Sequence, residues 1–355
     1  MMKKIRVLVV DDSAFMRKII SDMLSSSPEI RVVGTAVDGR DALDKISTLD
    51  PDVVTMDIDM PVMDGITALR HIMKEYPKPV IMVSALTYDG AQETIKSLNS
   101  GAVDFVTKPD RRHISFRMED AQEELINKVK SSARANMFSS AELSGCNQPS
   151  RKKKKKPLVV EAENVVVIGA STGGPKTLCK IMSKLPSKIN AAVIVVQHMP
   201  PKFTLTLASW LDSLIPPHVV EAKEGDRLTN GTVFIAPGGF HLKVMKEKLN
   251  DGIHGIMHLD KGPKVNEMRP SIDVTMTSVA KAYDERVVGV ILTGMGRDGT
   301  EGMKQIKMMG GRTISQDEKT SIIFSMPNSA YKSGAVDEVV SLNKISKKIL
   351  ELVGS

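Results

Sequence analysis

Ser171 stands in "IGASTGGPKT", residues 168–177, directly after an apolar run. The stretch fits two chemistries. As a phosphate cradle it nearly matches G-x-x-x-x-G-K-[ST], except that Pro175 separates Gly174 from Lys176. As G-x-S-x-G, the turn that mounts a nucleophilic serine between a strand and a helix, it matches without a gap from Gly169 to Gly173. Other polar residues also follow apolar runs in this part of the chain: Gln197 and His198 after "AAVIVV", and Asp298 in "LTGMGRDG". A hydroxyl, an imidazole and a carboxylate in one cleft make a hydrolase, because the imidazole takes the serine proton and the carboxylate fixes its tautomer and stabilises its charged form. Each residue has a plainer use. Ser171 could cap the helix begun by Pro175, His198 could be a structural strand-end histidine, and Asp298 could be a turn residue before Gly299. Together they favour catalysis, since each supplies what the others need. Their chain order, Ser then His then Asp, differs from that of α/β-hydrolases, so the motif does not imply that fold.

A second group has different chemistry. Asp11 and Asp12 end the first apolar run of the chain, Asp57 lies in the third, Ser84 in the fourth and Lys108 after the fifth. Three carboxylates brought together need a cation, and an all-oxygen set suits Mg²⁺. Lys108 and the Ser84 hydroxyl then offer a charge and a hydrogen bond to a phosphoryl group arriving on Asp57. Helix capping accounts for a single strand-end Asp but hardly for the whole constellation.

Such groups need strands to hold them. Up to about residue 130, "IRVLVVDD", "RVVGTAV", "PDVVTMDIDMP", "PVIMVSAL" and "VDFVTKP" alternate with segments of helix length, which predicts a doubly wound, five-stranded parallel sheet with function at its carboxyl ends. From Asn164 the pattern is α/β again: "NVVVIGA", "AAVIVVQHMP", "TVFIAPGG", "RVVGVILTGMG" and "GRTISQD" read as strands. "FTLTLASWLDSLI", "SIDVTMTSVAKAY" and "EGMKQIKMMGG" read as helices, the last closed by Gly310 and Gly311. A second, doubly wound α/β domain with a mainly parallel sheet is expected. Gly173 and Gly174 are expected to leave room for a substrate helix, and His254 and His258, four apart beside Asp251 and Gly252, read as a hairpin rather than a zinc pair.

Between the two halves, residues 131–163 lose periodicity and gather Ser, Asn, Pro and like charges, so the expected division is 1–130, a basic linker 131–163, and 164–355. Arg151 and Lys152 to Lys156 carry six of the seven net positive charges, leaving the globular parts nearly balanced. That excludes a basic output domain for nucleic acid, and one tryptophan with four tyrosines offers little base stacking. A nucleotide hydrolase would need Lys176 one position earlier and its own Asp-ended strand. Two cysteines, Cys146 and Cys179, are too few for a disulfide framework and suit a reducing compartment. With no long apolar run, and "MMKKIRVLVVDD" turning acidic where a signal peptide continues apolar, the expected location is the cytoplasm without membrane insertion.

The first half resembles the response-regulator receiver domain in "VVDDSAFMR", "MDIDMPVMDG", "VSALT" and "GAVDFVTKP". The resemblance implies a flavodoxin-like (CheY-like) fold and phosphorylation of Asp57 by a histidine kinase. It also implies Mg²⁺ held by Asp11, Asp12, Asp57 and the Asp59 backbone carbonyl, with Ser84 and Phe105 at the hydroxyl and aromatic switch positions. From about Asn164 the chain resembles chemotaxis-type protein-glutamate methylesterases (CheB) in "IGASTGGP", "VVQHMPPKFT", "IAPGGFHL", "RPSIDVTMTSVA", "LTGMGRDGTEGM" and "SMPNSAYKSGAVDEVV". This implies a glutamate γ-methyl ester on the cytoplasmic helices of a chemoreceptor as substrate, deamidation of receptor glutamines, and a role in adaptation. It further implies an oxyanion hole of the Thr172 and Met295 backbone N–H groups, no cofactor in the esterase half, and a receiver that restrains the esterase until Asp57 is phosphorylated.

Overall fold

Fully apolar runs such as "VVVIGA" are buried on both faces, which places them in the interior of parallel sheets with helices on either side. The computed structural model describes residues 3–85, 87–108, 118–136, 160–249 and 252–354. The chain divides into two units, Met1–Glu142 and Leu143–Ser355.

In the first unit, strands β1 (Ile5–Val10), β2 (Ile30–Ala36), β3 (Val53–Asp57), β4 (Val80–Ser84) and β5 (Asp104–Thr107) alternate with helices α1 (Ala14–Ser25), α2 (Gly39–Leu49), α3 (Gly65–Glu75), α4 (Tyr88–Ser100) and α5 (Met118–Ser132). The sheet is parallel in the order β2-β1-β3-β4-β5. Its order reverses between β1 and β3, the point where α/β sheets bind ligands. Ser13, Asp38, Asp64 and Thr87 cap α1 to α4 by accepting backbone N–H groups. Asp11, Asp12 and Asp57 are therefore not spent as caps.

The second unit holds a seven-stranded sheet in the order β14-β13-β12-β6-β7-β9-β8, parallel throughout. Its strands are β6 (Val165–Ala170), β7 (Ala192–Gln197), β8 (His218–Glu221), β9 (Thr232–Ile235), β12 (Val287–Ile291), β13 (Arg312–Gln316) and β14 (Glu338–Val340). The helices are α6 (Gly174–Met182), α7 (Phe203–Leu214), α8 (Ile272–Tyr283), α9 (Thr300–Met308), α10 (Ser325–Lys332) and α11 (Leu342–Leu352). Strands β10 (His241–Leu249) and β11 (Gly252–Asp260) form a separate antiparallel hairpin, as the glycine beside Asp251 predicts. One core joins Val165, Val167, Ile194 and Ile291 of the sheet to Met276, Val279, Met303 and Ile306 of α8 and α9. Here the sheet order reverses between β6 and β12.

Composition misjudged one edge of the expected linker. Residues 160–163 fold with the second unit: the Ala162 N–H donates to the Leu228 carbonyl at 3.1 Å, the Asn230 N–H to that of Val160 at 2.9 Å, and the Ala162 side chain is buried. Backbone pairing of this kind leaves no trace in residue types. The lysine run and Cys146 lie outside the described residues. Cys179 is buried in α6. Among the described residues no helix is long and apolar enough to cross a membrane.

Candidate active site

Ser171 follows the last residue of β6, at the sheet's reversal point. It does not cap α6: that position is Gly173, at φ 76° and without a side-chain cap. Pro175 sits in the first turn, where its missing N–H costs nothing. The Ser171 backbone is held from three sides. Its N–H donates to the Thr293 carbonyl at 3.1 Å, and its carbonyl accepts the Gly174 N–H at 2.8 Å and Gln197 Nε2 at 2.9 Å. Gly294 lets β12's extension pass this close, since a Cβ there would lie 2.8 Å from the Ser171 Cβ and 2.3 Å from the Met326 sulfur. The glycines after Ser171 differ from expectation. A Cβ on Gly173 would meet Ile322 at 2.7 Å and one on Gly174 would meet Gln197 Oε1 at 2.0 Å, so both glycines serve the protein's own packing rather than an approaching helix.

His198 follows β7, the neighbour of β6, and its N–H continues the ladder to the Ala170 carbonyl at 3.2 Å. Asp298 lies beyond β12, the other neighbour of β6. The two side chains meet: His198 Nε2 lies 2.8 Å from Asp298 Oδ2, and both are buried. Asp298 is also the acceptor for much of the α8 N-terminus. Its Oδ2 accepts the Ile272 N–H at 2.7 Å, and its Oδ1 accepts the Asp273 N–H at 3.1 Å, the Ser271 hydroxyl at 2.9 Å and the Gly299 N–H at 3.1 Å. Burial alone would raise this carboxyl, but the His198 hydrogen bond and charge, helped by the Ile272 and Asp273 amides, hold it down at about 2. An ionised carboxylate only accepts, so the proton of neutral His198 sits on Nε2. Nδ1 keeps its lone pair, and it is buried without a hydrogen-bond partner. No hydrogen bond joins it to the Ser171 hydroxyl.

Thr172 follows Ser171 in the chain, and Met295 follows Gly294, whose backbone passes beside Ser171. Thr293, fully buried, donates its hydroxyl to the Thr172 carbonyl at 3.0 Å and accepts the Ile323 N–H at 2.9 Å, tying the turn after Ser171 to the strand extension that carries Met295.

In the first unit Asp11, Asp12 and Asp57 bring carboxylate oxygens within 4.8 Å of one another, the one such acidic or histidine cluster among the described residues. Lys108 Nζ bridges Asp57 Oδ2 at 2.6 Å and Asp11 Oδ2 at 3.2 Å. Burial, with the Asp11 charge adding to it, pushes Asp57 up to about 6 in spite of Lys108. One ammonium does not balance three carboxylates, so this donor set fits a hard divalent cation. Asp59 is exposed beside it. Ser84 is buried and donates its hydroxyl to the Gly90 carbonyl at 3.1 Å rather than to Asp57. Phe105 is buried, and the Lys128 ammonium lies 5.1 Å from its ring centre. His254 and His258 are engaged with carboxylates: His254 with Glu161 at 2.9 Å, His258 with Glu224 at 2.9 Å and Glu247 at 2.6 Å.

Sequence reasoning passed over Ser271, Asp273, Asn266 and Thr293. "RPSID" shows only a helix start, and nothing in its spacing from "RDG" says that Ser271 and Asp273 meet Asp298.

The family described as CheB methylesterase matches residues 166–349, and the one described as Response regulator receiver domain matches residues 7–118. A Pyrococcus abyssi protein named protein-glutamate methylesterase/protein-glutamine glutaminase is 47% identical over 352 residues, covering 99% of this chain and 94% of that protein. One of the same name from Thermotoga maritima is 45% identical over 349 residues, 98% of each chain. The crystal structure of the Thermotoga maritima CheB methylesterase catalytic domain aligns with a TM-score of 0.51 at 43% identity, over 54% of this chain and all of that one.

Proposed function

The chain belongs to the CheB methylesterase family and carries a response regulator receiver domain, and on that premise we propose that it hydrolyses glutamate γ-methyl esters of chemoreceptors by a Ser171–His198–Asp298 mechanism gated by phosphorylation of Asp57. The observation that carries this reading is the buried His198–Asp298 pair, whose two residues follow the strands on either side of the one that leads into Ser171.

The Ser171 hydroxyl oxygen attacks the ester carbonyl carbon while His198 Nδ1 takes its proton. The resulting imidazolium is stabilised by Asp298 through Nε2. The Thr172 and Met295 backbone N–H groups receive the oxyanion; one such donor typically contributes ~10²–10³ in rate. His198 returns the proton to the departing oxygen, releasing methanol and leaving an acyl-serine. Water then attacks, His198 takes its proton and passes it to Ser171, and the glutamate carboxylate departs. With a glutamine the leaving group is ammonia, in line with the second half of the name borne by the relatives.

In the receiver, Asp57 accepts a phosphoryl group from a histidine kinase, with Lys108 and Ser84 to receive the phosphoryl oxygens. Asp11, Asp12 and Asp57, with the Asp59 carbonyl, would hold Mg²⁺, which would supply the positive charge that three carboxylates and an incoming phosphoryl group require. The modification adds about −1.5 to −2 charges at the strand ends. That draws the Ser84 hydroxyl away from Gly90, shifts Phe105 and relieves the restraint on the esterase, in the cytoplasm where receptor tails lie. Acyl-phosphate treatment is expected to raise methanol release by the full chain several-fold, with no gain in Asp57→Asn and none after chelation of Mg²⁺. Chelation is expected to leave the basal rate unchanged. A gain that survives in Asp57→Asn removes Asp57 from the switch.

A further inference from the structure

Asp298 is held from its far side by two residues to which the mechanism gives no task. Asp273, in the first turn of α8, is buried, and its Oδ1 accepts the Gly302 N–H from the first turn of α9 at 2.8 Å. Its Oδ2 accepts Asn266 Nδ2 at 3.0 Å, and the same amide nitrogen lies 3.4 Å from Asp298 Oδ1. One side-chain amide thus spans two carboxylates. Asn266 reaches them from a two-residue turn closed by both backbone bonds between Val265 and Met268, at 3.1 and 3.0 Å. Asn266 and Glu267 adopt φ of 50° and 64°, a left-handed backbone that asparagine tolerates and most other non-glycine residues disfavour. In this conformation the turn delivers the Asn266 amide to the carboxylates.

We propose that Asn266 and Asp273 are positioning residues of the esterase: they fix the rotation of the Asp298 carboxylate and set the charge that His198 meets through it. The inference rests on the Ser171–His198–Asp298 reading. Two like charges side by side need a shared donor, and Asn266 supplies it. Burial pushes Asp273 up to about 6, against the Gly302 amide and with the Asp298 charge adding, and the ionised form of Asp273 stabilises an imidazolium on His198. The titratable or charged groups on the surrounding segments are His198 after β7, His241 in β10, Arg297 and Asp298 before α9, Glu301 in its first turn, and Glu267 in the turn. His241 accepts the Ser271 N–H and pairs with the Pro263 carbonyl, which occupies both its nitrogens.

The test is methanol release from methylated receptor by full-chain Asn266→Ala and Asp273→Asn across pH, beside Ser171→Ala. Each positioning variant is expected to lower kcat about tenfold, at the lower end of the effect of partners one step behind a reacting group, with KM nearly unchanged. The acid limb of the kcat/KM profile is expected to move to lower pH in both, by roughly one pH unit. Asp273→Asn removes a negative charge near the imidazolium. Asn266→Ala removes the donor that lets two adjacent carboxylates stay ionised together, so Asp273 takes up a proton and the same charge is lost. A fastening of α8 to α9 without electrostatic reach would lower kcat and leave both limbs where they were, which overturns the inference; so does an unchanged kcat in Asn266→Ala. Asn266 is an exposed turn residue, so its variant decides the matter if Asp273→Asn does not fold. Activity that survives in Ser171→Ala overturns the parent reading, whereas unmoved limbs beside an inactive Ser171→Ala overturn this inference alone.

Discussion

Replacing Ser171 with alanine is expected to lower methanol release from methylated receptor by about 10⁶-fold, the scale of losing the nucleophile of a serine hydrolase. Receptor binding and thermal stability are expected to stay near wild type. The substitution removes one hydroxyl that has no hydrogen bond of its own, while the backbone bonds to Thr293, Gly174 and Gln197 that shape the turn remain. Release of labelled methanol with receptor in excess measures the first quantity, and co-sedimentation with receptor-bearing membranes the second. Hydrolysis at a near wild-type rate would remove Ser171 from the chemistry.

Asp298→Asn is expected to cost about 10⁴-fold in kcat, the size seen when the acid of such a triad becomes an amide. The reason lies in its partners. The carboxylate accepts from His198, Ile272, Asp273, Ser271 and Gly299, and an amide has only one accepting atom. If the amide NH₂ faces His198, Nε2 must become the acceptor and the proton moves to Nδ1, which then has no lone pair for Ser171. If the amide is flipped, its NH₂ instead confronts the Asp273 and Gly299 N–H groups, and the loop that carries the side chain must shift. Either way the base is lost. Single-turnover methanol release, read beside a melting curve, measures the effect. A loss below tenfold in a folded variant would mean that something else orients His198.

The strands were legible because buried parallel strands are written in runs of β-branched residues, and the strand ends because polar residues interrupt those runs. Asp11, Asp57, Ser171 and His198 could thus be found one by one. Asp298 was legible as a carboxylate but not as a hub. Its partners Ser271 and Asp273 lie some 25 residues earlier in the chain, in a helix start that looks like any other. The turn at Asn266 carries no glycine to announce a left-handed backbone. The roles of Gly173 and Gly174 were misread for a related reason: a glycine tells that something comes close, not whether it is a substrate or the protein's own Ile322 and Gln197.

Residue types and their periodicity alone determined that there are two doubly wound α/β parts, that a serine sits on a turn between a strand and a helix, and that three acids and a lysine stand at the strand ends of the first part. These follow from local rules: burial dictates composition along a strand, and a turn dictates glycine and proline. Only the tertiary structure decided that β12 and β7 flank β6, because strand order depends on which faces the helices cover and is not encoded in any one segment. That order brings Asp298 and His198 to 2.8 Å, assigns the proton to Nε2 and the basic lone pair to Nδ1, and sets Asn266 and Asp273 behind them. Directions and distances between side chains on separate strands come from packing, so the histidine and the aspartate were readable in the sequence and the atoms by which they meet were not.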